Sequence, residues 1–220
     1  MRILIKPIAP TPSKAITVAP APVTVRSRPM RVLDFDIENR PLSYLGSDFT
    51  TAEVTAIAWA WCDAPQDVTV YLLGEHELSL ILNSFVEAYR HADMVTGHYI
   101  KGHDLPMLNG ALMECRMPTL PDKLVQDTKI DLVRSKGLSL SQESLGAMFR
   151  LEAAKEQMNQ SKWRAANRLT PEGLAEVRRR VTGDVRQHIQ LRRELLELGY
   201  LGPAVMWKSG SFQRSETYTP

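Results

Sequence analysis

The chain has 220 residues, 44% of them hydrophobic and 24% charged, which fits one sizeable globular domain or one domain with tails. The formal charge of +2 is unevenly spread: residues 1 to 31 carry six basic side chains and no acid, so the basic character belongs to the N-terminal segment. Two cysteines, Cys62 and Cys115, give no disulfide framework and no zinc-site spacing, no apolar run approaches the roughly 20 residues of a membrane span, and proline breaks the N-terminus too often for a signal-peptide core.

These features make a membrane partner unexpected and a reducing, cytoplasmic setting the simplest one. In chain order, residues 1 to 29 hold Pro7, Pro10, Pro12, Pro20, Pro22 and Pro29 among small residues and read as a flexible basic arm. Val32–Ile37, Val54–Trp61 and Val68–Leu73 read as three strands, the last two separated by the turn-prone run from Cys62 to Asp67, and together suggest an antiparallel meander. Leu78, Leu82, Phe85 and Tyr89 recur at helical spacing between Glu75 and His91. A strand at Met94–Thr96, a helix at about Asp104–Glu114, a strand at Leu124–Asp127 and a helix at Ser141–Phe149 follow. A long helix then opens with Thr170 as N-cap and Pro171 at its first position. The order predicts an α/β domain over residues 30–202, with a mixed five-stranded sheet flanked by helices, and a loosely packed tail over 203–220.

The long helix contains a misfit. Leu174, Val177, Val181, Asp184, His188, Leu191, Leu195 and Leu198 share one face, and all are apolar except an acid and an imidazole one turn apart. Burying a lone carboxylate costs several kcal/mol, so Asp184 requires an arginine, a backbone donor or a metal ion as partner. In the first strand, the two-residue period sets Asp34, Asp36 and Glu38 on one side and Leu33, Phe35 and Ile37 on the other. The run from Gly97 to Leu108 delivers Asp104 to the start of a helix. A single Asp-x-Glu or a single N-terminal Asp is weak evidence of function.

In order, however, Phe35-Asp-Ile-Glu38, then Gly97-His98 with His103-Asp-Leu-Pro-Met-Leu108, then Asp184, resemble the three exonuclease motifs of the DEDD superfamily. The likeness is to the proofreading domains of family B DNA polymerases and to phage-type stand-alone exonucleases, and it spans about residues 31 to 200. The run Leu138–Leu145 before Lys155 is similar to that family's connecting segment. The resemblance implies an RNase H-like fold and 3′-to-5′ hydrolysis of nucleic-acid ends. It also implies that Asp36, Glu38, Asp104 and Asp184 hold two divalent ions, Mg²⁺ or Mn²⁺, which prefer oxygen ligands.

The chain departs from the family where a Tyr or His four or five residues before the last Asp orients the attacking water: Arg180 and Arg179 stand there. His188, one turn after Asp184, is the candidate substitute, and Arg180 is a candidate hold on the scissile phosphate. Tyr99 stands where relatives often carry Asn, and either stacks on a base or fills the core. His98, Lys155, Lys162 and Trp163 complete the candidate substrate contacts, an aromatic and basic mixture suited to a single strand, with Trp163 equally able to enter the core. The expected activity is exonuclease action on single-stranded DNA, or RNA, alone or as proofreading for a separate polymerase or replication protein. The rival expectation is a nucleic-acid-binding subunit that has lost efficient hydrolysis.

Overall fold

A computed structural model describes residues 28–42, 49–153 and 157–210. Its sheet is built from β1 (Val32–Pro41), β2 (Ala52–Trp61), β3 (Thr69–Leu72), β4 (Met94–Gly97), β5 (Lys123–Asp127) and β6 (Val205–Trp207), in the spatial order β3-β2-β1-β4-β5-β6. The first three strands form the antiparallel meander, β4 and β5 add in parallel to β1, and β6 closes the far edge antiparallel to β5. Among the described residues six helices accompany the sheet: α1 (Leu78–His91), α2 (Asp104–Glu114), α3 (Thr128–Leu132), α4 (Gln142–Met148), α5 (Gln160–Asn167) and α6 (Pro171–Glu197). Among the described residues no helix is long and apolar enough to cross a membrane.

The two faces of the sheet are packed by different means. On one, Leu33, Phe35 and Ile37 of β1 and Ile57 and Trp59 of β2 meet Ile81, Leu82, Phe85 and Tyr89 of α1 and Leu105, Leu108 and Leu112 of α2 in one large apolar core. On the other, β2 presents only Ala56, Ala58 and Ala60, and the apolar stripe Leu174, Val177, Val181, Val185 and Ile189 of α6 lies on them. Small residues there let a long helix lie close to the strands. The same logic holds α5 to α6, because a Cβ on Gly173 would come within 2.3 Å of the Ala165 backbone. Thr170 caps α6 by accepting from the Gly173 amide, with Pro171 at the first turn as its spacing implies.

Among the described residues the sheet has six strands rather than the five expected. β6 lies in the stretch taken for a loose tail; its three residues, next to Gly202 and Pro203, are too few to show a period, and pairing with β5 supplies their order. The helices α3 and α5 were also not foreseen. α3 follows β5 without a loop, its first turn capped by Asp127, and α5 carries Lys162 and Trp163, which the sequence offered only as candidate substrate contacts. Residues 1–27, most of the expected arm, lie outside the described residues, as does Lys155. Arg28, counted with the arm, makes a two-pronged ion pair with Asp93, 2.7 Å at each contact.

Candidate metal centre

The β1 acids stand opposite the alanines: Asp34 pairs with Ala60, Asp36 with Ala58 and Glu38 with Ala56. The alternation that buries Phe35 therefore aims these carboxylates at α6, over neighbours too small to fill the space. A register shift between Glu38 and Asn39 marks a bulge just past the third acid, a device that re-aims the side chains beside it. From the opposite side, the Val177-Val181-Asp184 face of α6 brings its acid down. One ligand oxygen from each of Asp36, Glu38 and Asp184 lies within 4.8 Å of the others.

Asp104 stands behind this group, at the first turn of α2, with Oδ1 accepting the Ile37 amide at 3.2 Å. The β1–β4 pairing ends at Asp34 and Thr96, and this carboxylate takes an amide of β1 beyond that point. Burial pushes its pKa up to about 7, against the help of the Ile37 amide and with the added repulsion of Asp127 and Glu38. The structure thus brings three of the four expected acids together and sets the fourth beside them, in electrostatic contact with Glu38.

A cation already sits among the acids. Arg180 donates through Nε to Glu38 Oε1 at 2.5 Å, and its Nη2 lies 3.8 Å from Asp184 Oδ2. Its guanidinium carbon is 5.1 Å from the centre of the Trp163 ring. Burial opposes its charge, but Glu38, Asp184 and Asp36 outweigh that and raise its pKa. Three clustered carboxylates demand positive charge, and all their donors are hard oxygens. The set could hold a metal ion of the kind that prefers oxygen ligands.

His188 does not join this cluster. Its Nδ1 is 2.5 Å from Asp34 Oδ2 and its Nε2 2.9 Å from Thr128 Oγ1, and all three residues are buried. The chain of contacts continues from Thr128 Oγ1 to His98 Nδ1 at 2.9 Å, and His98 Nε2 donates to the Leu140 carbonyl at 2.8 Å. With both nitrogens committed, His188 ties α6 to β1 and α3, one turn below the acid cluster. Burial raises the pKa of Asp34, opposed by His188 and Arg192. Sequence periodicity put His188 on the right face; it had no means of pairing it with Asp34, which read as one more acid of the strand.

The remaining expected contacts are dispersed. Lys162 on α5 pairs with Glu176 at 2.9 Å, and Trp163 is half-buried against α6 beneath Arg180. Exposed Arg164 and Arg168 line a shallow cleft with Trp163 and Pro41. Tyr99 is exposed, in the loop between β4 and α2. Asp127 and Thr128, at the junction of β5 and α3, organise both that loop and the buried chain of contacts, yet neither was singled out in sequence. Asp127 followed by a hydroxyl residue at a strand's end was the available signal, a helix-cap pattern.

No protein-family model and no curated protein matches the chain. The fold is similar to that of a solved structure, the family B DNA polymerase from the hyperthermophilic archaeon Pyrobaculum calidifontis, with a TM-score of 0.62, 18% sequence identity and 79% of this chain covered. The match takes in 25% of that polymerase, so this chain corresponds in fold to about one quarter of it.

Proposed function

We propose that this protein is a metal-dependent 3′-to-5′ exonuclease acting on single-stranded DNA ends. The observation that carries the reading is the meeting of Asp36 and Glu38 of β1 with Asp184 of α6, with Asp104 behind them, in a fold shared with a DNA polymerase. Asp36, Glu38 and Asp184 would hold the divalent ions, and Asp104 would join them once their charge draws off its proton. Bound Mg²⁺ or Mn²⁺ supplies an activated water and a stabilised leaving oxygen for phosphodiester hydrolysis. Arg180, displaced from Glu38, would turn to the scissile phosphate, while Trp163 with Arg164 and Arg168 would carry the strand beyond it. Proofreading for a separate polymerase is a role open to such an enzyme.

A second reading has its own observation. Arg180 already neutralises Glu38, which favours a binding subunit whose cluster never takes up metal. Incubating end-labelled single strands with the protein in Mg²⁺, Mn²⁺ or chelator separates the two. The exonuclease reading expects stepwise shortening from the 3′ end that chelator abolishes. Retention of strands without shortening in either metal selects the binding subunit.

A further inference from the structure

Tyr99 has a backbone φ of +74°, in the left-handed region that a bulky aromatic residue rarely adopts. Two hydrogen bonds hold it there: Asp127 Oδ1 accepts the Tyr99 amide and Oδ2 the Lys101 amide, both at 2.9 Å. The carbonyl of Tyr99 then accepts from the amides of Gly102 and His103 at 3.1 and 3.0 Å. So tight a turn would suit Gly or Asn better.

The ring explains neither itself nor the turn by core packing, because Tyr99 is 43% exposed. It lies instead against Gly102, where an added Cβ would come within 2.5 Å of the ring. Position 102 therefore has to lack a side chain for the ring to lie where it does. Lys129 of α3 places its ammonium 4.4 Å from the ring centre. A strained backbone, a glycine kept clear and a cation over an exposed aromatic ring form one arrangement, on the loop that leads from β4 into α2, whose first residue is Asp104.

Resting on the nuclease reading above, we propose that Tyr99 is the stacking platform for the terminal nucleobase of a single strand, with Lys129 as the cation that moves from the ring to the strand's phosphate. The aromatic face accepts any base, because every base has a π-face, and gives little sequence preference. Lys129 is a flexible point charge whose cation–π contact is weak at an exposed site, so an arriving base displaces it readily. The turn aims the ring, and Gly102 sets its tilt.

The test measures binding in chelator, without hydrolysis, by fluorescence anisotropy of two oligothymidylates, one complete and one abasic at its 3′ residue. Tyr99→Ala should weaken binding of the complete strand roughly 5- to 150-fold, the fold-change for one base–aromatic stack, and leave the abasic strand nearly unaffected. Tyr99→Phe should bind both strands like the parent. Tyr99→Asn should melt a few degrees higher, since Asn tolerates the left-handed turn, yet bind like Tyr99→Ala. That combination cannot arise from misfolding. Gly102→Ala, with Tyr99 present but its ring pushed aside, should reproduce the loss. Equal weakening of both strands by Tyr99→Ala, or none, overturns the platform even if the parent protein degrades DNA in Mn²⁺. Base-dependent binding through Tyr99 with no degradation would keep the platform and discard the exonuclease.

Discussion

Strand β1 and helix α6 meet twice on the same face, and the two meetings have opposite characters. At the lip, Asp36 and Glu38 face Asp184, with like charges gathered around one arginine. One turn deeper, Asp34 faces His188, and the imidazole is bonded on both sides in a closed chain through Thr128 and His98 to the Leu140 carbonyl. Spacing along strand and helix is the same in both places. What differs is access: Glu38 and Arg180 keep 15% and 16% of their side-chain surface, whereas Asp34 and His188 keep 1% and 2%. The deep pair sets the register of α6 against β1, and the lip uses that register to bring three acids together.

If that division is right, damage to the two layers has different consequences. The largest effect belongs to the lip. Asp36→Ala and Asp184→Asn should each lower strand hydrolysis by several orders of magnitude while the circular dichroism spectrum stays native, because loss of ligands removes the metal and not the core. Relief of like-charge repulsion should leave metal-free stability equal or higher. Native-like activity in either variant would dissolve the distinction.

The deep layer should respond in stability. His188→Leu leaves Asp34 buried without its partner, with Asp34 Oδ1 already lacking a hydrogen bond among the described residues, and should cost about 3–5 kcal/mol in urea unfolding. Adding Asp34→Ala should recover much of that loss, because no charge is then stranded. A His188→Gln variant with native stability but a rate reduced 10²-fold or more would instead restore the histidine as a general base.

Arg180 sharpens the comparison at the lip. Arg180→Ala removes the resident counter-charge, so Mn²⁺ should bind several-fold more tightly by calorimetry while single strands bind more weakly. Unchanged Mn²⁺ affinity would mean that the guanidinium and the metal do not compete.

Asp104 gives a pH signature with a defined sign. Its pKa is raised from 3.8 to about 7 in the fold, so the folded metal-free protein holds that proton more tightly than the unfolded chain. Its contribution to stability is complete below about pH 4 and is lost as pH rises through 7. Thermal unfolding in chelator should therefore show a midpoint that falls between about pH 4 and 7 and levels off above that. In saturating Mg²⁺ the fall should flatten or reverse. The smallest effect is expected from removing residues 1–27, which leaves the Arg28–Asp93 pair in place and should move the midpoint by no more than about a degree.

How much of this was legible beforehand follows from where the physics is local. Thr170 and Pro171 announced the start of α6 because capping is a property of adjacent residues, and the alternation of acids and apolar residues in β1 told the two faces apart. The misfit of Asp184 pointed to a partner, and both an arginine and two further acids stand there. Partnership across long separations was not legible. Asp34 with His188, or Asp127 with the Tyr99 turn, joins residues 154 and 28 positions apart, and periodicity carries no information about such pairs. The three-residue β6 is a strand only because β5 offers an edge, and α5 is helical through packing of Ala165 and Ala166 on α6 despite its polar sequence.

The central claim is that the lip is a metal centre, and Mn²⁺ binding followed by electron paramagnetic resonance tests it without relying on turnover. Titrating the protein should quench the free-ion signal to saturation, Asp184→Asn should abolish most of that quenching, and Asp34→Asn should leave it in place wherever the variant remains folded. Mn²⁺ uptake that Asp184→Asn does not diminish, or no uptake at millimolar ion, would contradict the account.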